Sequence, residues 1–574
     1  MKNIILKLLN NTEKNRKFAS FTNEPDLSYS ELTDYSNGVS EQFNSLGMLP
    51  QSKIILLGLN TRSFIFALVA SWLNRAIVLP EDLNIDEGRL SKIRDSFNPD
   101  FIINSGDMSV LQVSNNTKHS YKEVCLKFNS VKINYKNFKE NDISLCIYTS
   151  GSTGEPKGVL LSHKALYNGA INVIENFKIK ASDRAFCVLP MTHINGIVTT
   201  FIAPLASLSE VYYYQGIFDA KRAVNEVIYS KSTWFSAIPM HYSLLSEYPI
   251  KKEQLNNMRL NFCRSASAAL SEKVLKKFER RYFIPLIETM GMTETSGQIF
   301  ANPLPPLKHK PNSVGKPINF FARIVDDNGN KIPVNKVGNL EVKGNSMMES
   351  YIYDKESTKK AYNHTWLITG DLACIDEDGY FYLKGRKKNI AIYSGINISL
   401  SSIDTFLKNF DEIHDAVSIA KDHKNIGQRV IILIIFKRNY KLNKTVFINS
   451  LREKLRSYLP SINALEDIIE LEKFPRTSVG KVDSIKLQRI IKNRNKLISK
   501  KSDLTAINII SNRLNIPMIR LNKDSKLGDF KEWDSLGNVL LISAIEELLD
   551  KELKKDELIK VRTVKGIESL LQSK

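Results

Sequence analysis

Cysteine is scarce in this sequence, and the few cysteines are not spaced as a disulfide or zinc scaffold requires. The 574 residues include five cysteines, an odd number, and no two of them form a CxxC pair. Disulfide frameworks need paired cysteines, and zinc knuckles need closely spaced ones. Both classes are therefore excluded, and the predicted compartment is the reducing cytoplasm.

Long apolar runs are also missing. Residues 431–436 have the length and the β-branched content of a buried strand, while residues 191–208 are interrupted by His193 and Asn195. Neither run is suited to span a bilayer. The N-terminal apolar patch is split by Lys7 and lacks a small-residue cleavage site, so we expect a short amphipathic helix there rather than a secretory signal. The sequence predicts a soluble protein without a membrane span.

Acidic residues are outnumbered, with 61 Asp and Glu against 81 Lys and Arg, which gives a net charge of +20. A basic patch would recruit nucleic acid or anionic membrane. The lysines are spread along the whole chain, however, and only residues 486–501 concentrate them. Such a run is usually a solvated linker, so no nucleic-acid partner is predicted.

The chain is too long for a single hydrophobic core, so several domains are expected. Helical and strand-like patterns alternate up to about Leu383, which predicts layered α/β structure, and the pattern after residue 502 is helical. The predicted segments are a large α/β domain over 1–384, a smaller α/β lobe over 385–490, a linker over 491–502 and a helical domain over 503–574.

A loop rich in glycine and hydroxyl residues follows the apolar strand at residues 145–147. Residues 148–157 read YTSGSTGEPK, which lacks the Walker spacing. Glycines let backbone N–H groups close on an anion, and hydroxyls and a lysine add donors, so a polyphosphate is the expected ligand; a plain surface loop is the alternative. The candidate phosphate-binding residues are Thr149, Ser150, Gly151, Ser152, Thr153, Gly154 and Lys157.

This loop resembles the phosphate-binding signature of the adenylate-forming superfamily, which includes acyl-CoA synthetases, AMP-dependent acid ligases, peptide-synthetase adenylation domains and luciferases. Further motifs of that superfamily follow in order over roughly the first 490 residues. The resemblance implies a large multi-layer AMP-binding domain followed by a small, mobile α/β lobe. It also implies ATP and Mg²⁺ as cofactors.

The MGMTE segment at residues 290–294 is similar to the part of the family that lies against adenine, so Met290, Gly291 and Thr293 are implied nucleotide contacts. Met290 replaces a usual aromatic residue, and its thioether can still pack on a purine. Glu294 is the implied catalytic Mg²⁺ ligand, although a carboxylate here could also be a helix N-terminal charge.

Four further positions follow from the resemblance alone. Asp371 in WLITGDLA matches the aspartate that accepts hydrogen bonds from the ribose hydroxyls, and Arg386 matches an arginine that meets the nucleotide. Lys388 stands at the hinge of the small lobe. Gly395 matches the glycine of the thiol tunnel, although Leu400 and Ser402 nearby depart from the usual Pro and Glu.

Lys481, within FPRTSVGKVDSIK, matches the mobile catalytic lysine that neutralises charge between the substrate carboxylate and the α-phosphate. His193, within PMTHING, matches a histidine beside the acyl pocket of acyl- and aryl-CoA synthetases, with a core histidine as the alternative. No aspartate stands nearby to pair with an α-amino group, which favours an acid without one. RSASAAL at residues 264–270 is similar to the turn that borders the acyl pocket.

A tryptophan precedes DSL at residues 534–536, and an apolar-spaced helix follows. With these features the last seventy or so residues resemble an acyl or peptidyl carrier protein, a four-helix all-α domain. Asp534 could be simply the N-cap of that helix. The resemblance implies that Ser535 carries covalent 4′-phosphopantetheine.

The function implied is ATP-dependent activation of a non-amino carboxylic acid as acyl-AMP, followed by thioesterification to the chain's own carrier domain. The expected partners are a phosphopantetheinyl transferase and a downstream acyltransferase or condensing enzyme. Three alternatives stay open: a free acyl-CoA synthetase that uses coenzyme A, loading in trans, and a non-catalytic nucleotide-binding or scaffold protein.

Overall fold

The computed structural model describes most of the chain, with gaps at several loops and at both ends. The described residues are 3–9, 15–127, 138–149, 157–387, 389–393, 396–423, 427–437, 444–455, 459, 464–476, 482–483, 486–491, 505–514, 516, 518–549 and 551–572. Their contacts divide them into two compact units, one up to Leu383 and the other from Lys384 onward.

The first unit contains a nine-stranded sheet, whose inner six strands are parallel and whose ends are antiparallel. In spatial order its strands are β16 (Lys316–Pro317), β15 (Gly297–Ala301), β14 (Leu286–Met292), β13 (Phe262–Ser265), β12 (Trp234–Ala237), β10 (Arg184–Cys187), β11 (Glu210–Tyr213), β1 (Lys17–Phe21) and β2 (Leu27–Ser28).

Two more sheets belong to this unit. The eight-stranded sheet runs β19 (Ser350–Tyr351), β9 (Lys157–Ser162), β8 (Ile143–Thr149), β4 (Ile77–Asp82), β3 (Lys53–Gly58), β5 (Phe101–Asn104), β6 (Ser109–Gln112) and β7 (Thr117–Ser120). The five-stranded sheet runs β17 (Phe320–Val325), β18 (Gly338–Gly344), β21 (Trp366–Ile375) and β20 (Tyr362–Asn363), with β22 (Phe381–Arg386) beside β21.

Helices cover the faces of these sheets, and several begin at side chains that satisfy free backbone N–H groups. Ser28 and Glu31 form a capping box, and Ser162 and Asp219 cap two further helices. The helices span Ile4–Leu9, Tyr29–Ser45, Arg62–Leu73, Glu87–Phe97, His163–Phe177, Ala203–Ser207, Ala220–Ser230, Pro239–Glu247, Lys252–Asn257, Glu272–Tyr282 and Lys355–Lys360, with a π-helix over Asn195–Ile202 and a 3₁₀ turn over Thr293–Thr295.

The second unit combines a five-stranded sheet with helices. The strands are β24 (Ile396–Ser399), β23 (Ile390–Tyr393), β26 (Gly427–Phe436) and β25 (Ile413–His423), with β27 (Leu465–Glu470) parallel to β26. The helices span Leu400–Lys408, Lys444–Lys454, Ala506–Leu514, Ser535–Leu549, Lys555–Lys560 and Val564–Gln572, with a 3₁₀ turn over Met518–Arg520.

Several local predictions are confirmed. Strands β8 and β26 overlap the apolar segments 145–147 and 431–436 that the sequence marks as strands, and a helix forms at Ile4–Leu9. Residues 430–434 of β26 are nearly or fully buried. Within the part of the chain that the structure describes, no helix is long and apolar enough to cross a membrane. The division of the chain into four segments stays a prediction.

Candidate functional site

Three of the predicted site segments follow neighbouring parallel strands. His193 comes after β10, the turn at residues 266–270 comes after β13, and residues 291–294 lie at the end of β14. β10, β12, β13 and β14 lie side by side in that order and are parallel. Ligands in α/β sheets bind outside the carboxyl ends of parallel strands, so this edge is the candidate site.

Glu294 lies in a tight turn that its neighbours hold in place. Gly291 approaches the backbone so closely that an added Cβ would stand 2.0 Å from the carbonyl oxygen of Gly297, which explains a glycine here. The Thr295 hydroxyl donates to the carbonyls of Met292 and Gly297. The backbone N–H of Met348 donates to the carbonyl of Glu294 at 2.7 Å, so the turn is fixed on both sides.

The carboxylate of Glu294 is half-buried and accepts a 3.0 Å hydrogen bond from the hydroxyl of Tyr351. Burial, and then the charge of Glu294, raise the pKa of Tyr351, so this tyrosine stays a neutral donor. Among the described residues, no Lys or Arg forms an ion pair with Glu294, and no three His, Cys, Asp or Glu side chains group as a metal site. A single carboxylate fits Mg²⁺ that takes its other oxygens from phosphates and water.

Lys157 approaches the same tyrosine from the predicted phosphate loop. β8 and β9 pair so that Thr149 stands opposite Lys157, and the hydroxyl of Thr149 lies 3.4 Å from the Lys157 carbonyl. The Lys157 ammonium donates to the hydroxyl of Ser357 at 2.5 Å and lies 5.2 Å from the ring centre of Tyr351. Tyr351 thus contacts both residues, Lys157 through its ring and Glu294 through its hydroxyl.

Asp371 is 6% exposed in β21, and its backbone N–H donates to the hydroxyl of Thr369 at 3.1 Å. That hydroxyl in turn donates to the carbonyl of Leu340. Arg386 is exposed at the end of β22 and belongs to the second unit. Met290 is 8% exposed and lies in the main apolar core. The nucleotide-binding roles of these residues stay predictions.

His193 is half-buried, and its carbonyl accepts the N–H of Ile197 as the chain enters the π-helix Asn195–Ile202. π-Helical turns often occur at functional sites. Trp234 and Phe235 of the neighbouring strand β12 are almost fully buried. The Trp234 ring stacks on Phe262, and the Phe235 ring meets Phe186 edge to face, so both side chains belong to the core.

Several predicted positions lie outside the described residues, namely Ser150, Gly151, Ser152, Thr153, Gly154, Lys388, Gly395 and Lys481. Ser535 begins the helix Ser535–Leu549, although its side chain is also outside the described set. The carboxylate of Asp534 accepts the N–H of Gly537 at 2.7 Å, which confirms the N-cap interpretation of that residue. Trp533 is fully buried, and its indole N–H donates to Asn538 at 3.2 Å.

Sequence reasoning missed Tyr351 and Ser357, which stand far along the chain from Lys157 and belong to no motif. It also gave no role to Arg264, which is 2% exposed in the apolar strand β13. An arginine between buried strand residues is a signal that the sequence does carry, because arginine is rarely fully buried without a partner.

A comparison with known proteins identifies the family of the chain. The sequence matches the family described as AMP-binding enzyme over residues 10–352, so the chain belongs to the AMP-binding enzyme family. It is 34% identical to the sulfoacetate–CoA ligase of Cupriavidus necator over 346 residues, which are 60% of this chain and 66% of that one. It is 28% identical to the oxalate–CoA ligase of Saccharomyces cerevisiae over 60% of this chain and 62% of that one. The chain thus spans just under two thirds of these relatives.

Solved structures confirm the predicted α/β adenylate-forming fold. ATP-bound MatB from Rhodopseudomonas palustris superposes with a TM-score of 0.74 at 20% identity, over 86% of this chain and 99% of that one. The anthranilate CoA ligase AuaEII in complex with anthranoyl-AMP gives 0.73 at 19% identity, over 85% of this chain and 97% of that one.

Proposed function

We propose that this protein is an acid–thiol ligase that uses ATP to activate a non-amino carboxylic acid and then transfers the acyl group to a thiol on its own C-terminal domain. In the first step a carboxylate oxygen attacks the α-phosphorus of ATP, and pyrophosphate leaves. In the second step a thiol sulfur attacks the acyl carbon, the thiol proton is lost, and AMP leaves.

The observation that carries the proposal is the meeting of Lys157 and Glu294 on Tyr351. Through Tyr351, Lys157 at the end of the phosphate loop lies close to the Glu294 carboxylate. Among the described residues no cation pairs with this carboxylate, and Glu294 follows the carboxyl end of the parallel strand β14. A cation and an acidic metal ligand within one side chain's reach suit a nucleotide polyphosphate.

Each side chain then has a role in the first step. Lys157 would hold phosphate oxygens, and Glu294 would hold Mg²⁺, which neutralises phosphate charge when it is bound. Tyr351 orients the Glu294 carboxylate by donating to one of its oxygens. Asp371 and Arg386 are the proposed nucleotide contacts, His193 borders the acyl group, and Lys481 is the proposed catalytic lysine.

The second step assigns the helices after residue 505 to a carrier domain. Phosphopantetheine attached to Ser535 would supply the accepting thiol. The structure of the helix start suits such an attachment, because Asp534 is exposed and caps the helix while Trp533 anchors it in the core. Gly537 lies so close to Glu532 that an added Cβ would stand 2.3 Å from its carbonyl oxygen. This proposal requires a phosphopantetheinyl transferase, and an acyltransferase or condensing enzyme to accept the product.

Coenzyme A is the second candidate acceptor, since the curated relatives carry the name CoA ligase. Their names cover acids as different as sulfoacetate, oxalate, indoleacetate and long-chain fatty acids.

The test is intact-mass spectrometry of the full chain after phosphopantetheinylation and incubation with ATP, Mg²⁺ and a pool of carboxylic acids. We expect an acyl mass increment in the wild type, none in Ser535→Ala, and none in Lys481→Ala. Lys486→Ala is the matched control, because Lys486 stands in the same motif and its side chain is 64% exposed.

The outcomes separate the alternatives. Acylation of added coenzyme A without acylation of the attached arm would replace the self-loading proposal with a CoA ligase. Failure of the arm to attach at Ser535 would overturn the carrier assignment. Absence of both acylation and pyrophosphate release over the whole pool would leave a non-catalytic nucleotide-binding protein.

A further inference from the structure

Arg264 is a buried arginine, and no carboxylate of the described residues pairs with it. It is 2% exposed in β13, and its neighbour Cys263 is fully buried in the apolar cluster on the other face of the strand. Among the residues that the structure describes, no Asp or Glu oxygen lies within 4.0 Å of its guanidinium. Structural arginines in a core normally face a carboxylate, so this one is unusual.

All the groups that bind the guanidinium are neutral. Its Nε donates to Oε1 of Gln298 at 3.1 Å, and its Nη1 donates to Oδ1 of Asn195 at 2.9 Å and to the Ser236 hydroxyl at 3.0 Å. These bonds use three of the five N–H groups of an arginine. Within the described part of the chain, the Nη2 group has no hydrogen-bond partner. The arginine is thus held in place with two donors unused.

A second buried donor belongs to the same cluster. The amide nitrogen of Gln298 has no hydrogen-bond partner among the described residues, and this side chain is 1% exposed. An unpaired buried donor is unfavourable, and native structures retain such groups mainly where a ligand or water completes them. Arg264 and Gln298 together therefore lack an acceptor, and the acceptor that both would favour is an anion.

The cluster lies under the region where the acid is expected to bind. Asn195 begins the π-helix two residues after His193, and its amide nitrogen also donates to the Ser267 hydroxyl at 3.3 Å. Ser267 is exposed in the turn that follows Arg264, with φ of 73°. One asparagine thus connects the buried arginine to both segments that border the proposed acyl pocket.

Burial lowers the pKa of Arg264 to about 10, so the guanidinium still carries its charge at neutral pH. A buried positive charge without a counter-charge is strongly unfavourable, and an anion that reached it would be bound tightly. The planar guanidinium suits the paired oxygens of a carboxylate or a sulfonate.

We propose that Arg264 binds a second acidic group on the substrate, so that the enzyme prefers short acids with two anionic ends over acids with one. This inference rests on the proposed acid–thiol ligase function and names the substrate class of that site. One carboxylate reacts with ATP, while the second carboxylate or sulfonate lies against the guanidinium and is not changed in the reaction.

The test measures acid-dependent pyrophosphate release by the full chain with matched pairs of acids. Oxalate, malonate and sulfoacetate each carry a second anionic group, while acetate and propionate are the single-charged partners of similar size. We expect the wild type to prefer the dianionic acids by on the order of 100-fold in kcat/KM. An acid with a single charge would leave the buried Arg264 guanidinium without an anionic partner, which weakens its binding.

Variants then assign the preference to Arg264. Arg264→Met should lower kcat/KM for dianionic acids by about 100-fold, mainly through KM, while the single-charged acids change little. Arg264→Lys keeps the positive charge but loses the planar guanidinium that can bind two oxygens at once, so it should retain part of the preference. It also keeps the test valid if Arg264→Met does not fold. Arg222→Met is the control, because Arg222 pairs with Glu226 on a partly exposed helix face.

The results distinguish this inference from the proposed function. Equal use of single- and double-charged acids, or a dianion preference that survives in both Arg264 variants, would overturn the inference and leave the ligase in place. Pyrophosphate release with none of these acids, but with larger single-charged acids from a broader pool, would overturn it as well. If no acid in the broader pool supports pyrophosphate release, both the ligase function and this inference are rejected.

Discussion

At the scale of single residues, Tyr351 has a role that its contacts define. Its hydroxyl donates to Glu294, and its ring faces the Lys157 ammonium. Tyr351→Phe keeps the ring but removes the donor that orients the carboxylate. A hydrogen bond to a charged group contributes roughly 1.5 kcal/mol or more, so we expect the Mg²⁺ concentration for half-maximal pyrophosphate release to rise about tenfold.

The matched control is Tyr353→Phe. Tyr353 is 72% exposed two residues further along, and its hydroxyl is bonded to Lys53 rather than to the site. A Mg²⁺ dependence that is the same in both variants would mean that Tyr351 does not position Glu294.

Glu288 predicts a pH dependence near neutrality. It is 8% exposed, and its carboxyl accepts the N–H of Leu270 at 3.1 Å. Burial raises its pKa from 4.5 to about 7. Because the folded state favours the neutral form, the stabilising contribution of Glu288 is complete below about pH 4.5 and is lost as the pH rises through 7.

Glu288→Gln keeps an acceptor for Leu270 but cannot ionise. We expect the free energy of unfolding to fall less between pH 5 and pH 8 in this variant, by about 3 kcal/mol, in urea titrations followed by tryptophan fluorescence. Glu253→Gln, at an exposed helix position, should leave the pH profile unchanged. An unaltered profile in Glu288→Gln would show that the buried carboxyl does not set it.

The sequence could place motif residues but not their partners. Glu294 and Lys157 belong to segments of distinctive residue types, whereas the contact of Lys157 with Ser357 joins residues 200 positions apart. Such a contact depends on how β9 and β19 pair, and no local pattern encodes that pairing. Arg264 was within reach of sequence reasoning, since a charged residue interrupts the apolar strand β13. Only the structure shows that its hydrogen-bond partners among the described residues are all neutral.

At the scale of elements, Glu466 in β27 joins several parts of the second unit. It pairs with Arg429 of β26, with Lys421 of β25 at 3.2 Å, and with Arg513 of the helix Ala506–Leu514 at 2.8 Å. Burial by itself would raise the pKa of Glu466, but the charges of Arg429, Arg513 and Lys421 lower it to about 2. Its stabilising contribution is therefore present above about pH 4.5 and is lost as the pH falls through 2.

Glu466→Gln removes the carboxylate that pairs with Arg429, a residue that is 2% exposed. At pH 7 we expect the second unit to lose about 3 kcal/mol of stability, which corresponds to about 100-fold faster amide hydrogen exchange in residues 465–470 and 506–514. Glu472→Gln, at an exposed position just after the same strand, is the control. Unchanged exchange in both segments would mean that the cluster does not couple them.

The π-helix shows a limit of prediction at this scale. The sequence shows that the apolar residues 191–208 are too interrupted for a membrane span. It does not show that part of this run forms a π-helix, because composition does not determine the number of residues per helical turn. Its start is fixed by a close approach, since a Cβ added at Gly196 would stand 2.1 Å from the Pro190 carbonyl oxygen. Two strands were easier to anticipate, because β8 and β26 contain the uninterrupted apolar runs 145–147 and 430–436.

At the scale of the whole molecule, the α/β adenylate-forming architecture could be predicted because its motifs occur in a fixed order. The order of strands within the sheets could not. β1, for example, pairs on one side with the adjacent strand β2 and on the other with β11, which lies far along the chain. Such long-range pairing depends on the packing of the whole unit. The carrier assignment of the last segment still rests on residues 533–537 and on the proposed reaction.

A carrier on the same chain predicts how loading responds to dilution. Short tethers between two sites on one chain give effective concentrations near the millimolar range. Loading within one chain should therefore follow first-order kinetics at a rate independent of protein concentration. We expect no change in rate when the wild type is diluted from about 10 μM to 0.1 μM.

A mixture of two inactive variants tests loading within one chain without dilution. The Ser535→Ala chain can activate the acid but cannot accept it, while the phosphopantetheinylated Lys481→Ala chain can accept it but cannot activate it. At about 1 μM of each, acylation of the Lys481→Ala chain should be about a thousandfold slower than wild-type loading, because the acceptor is then at micromolar rather than millimolar concentration. Acylation at the wild-type rate, resolved by the mass difference between the chains, would show that the acyl group passes between molecules and that the tether gives no advantage.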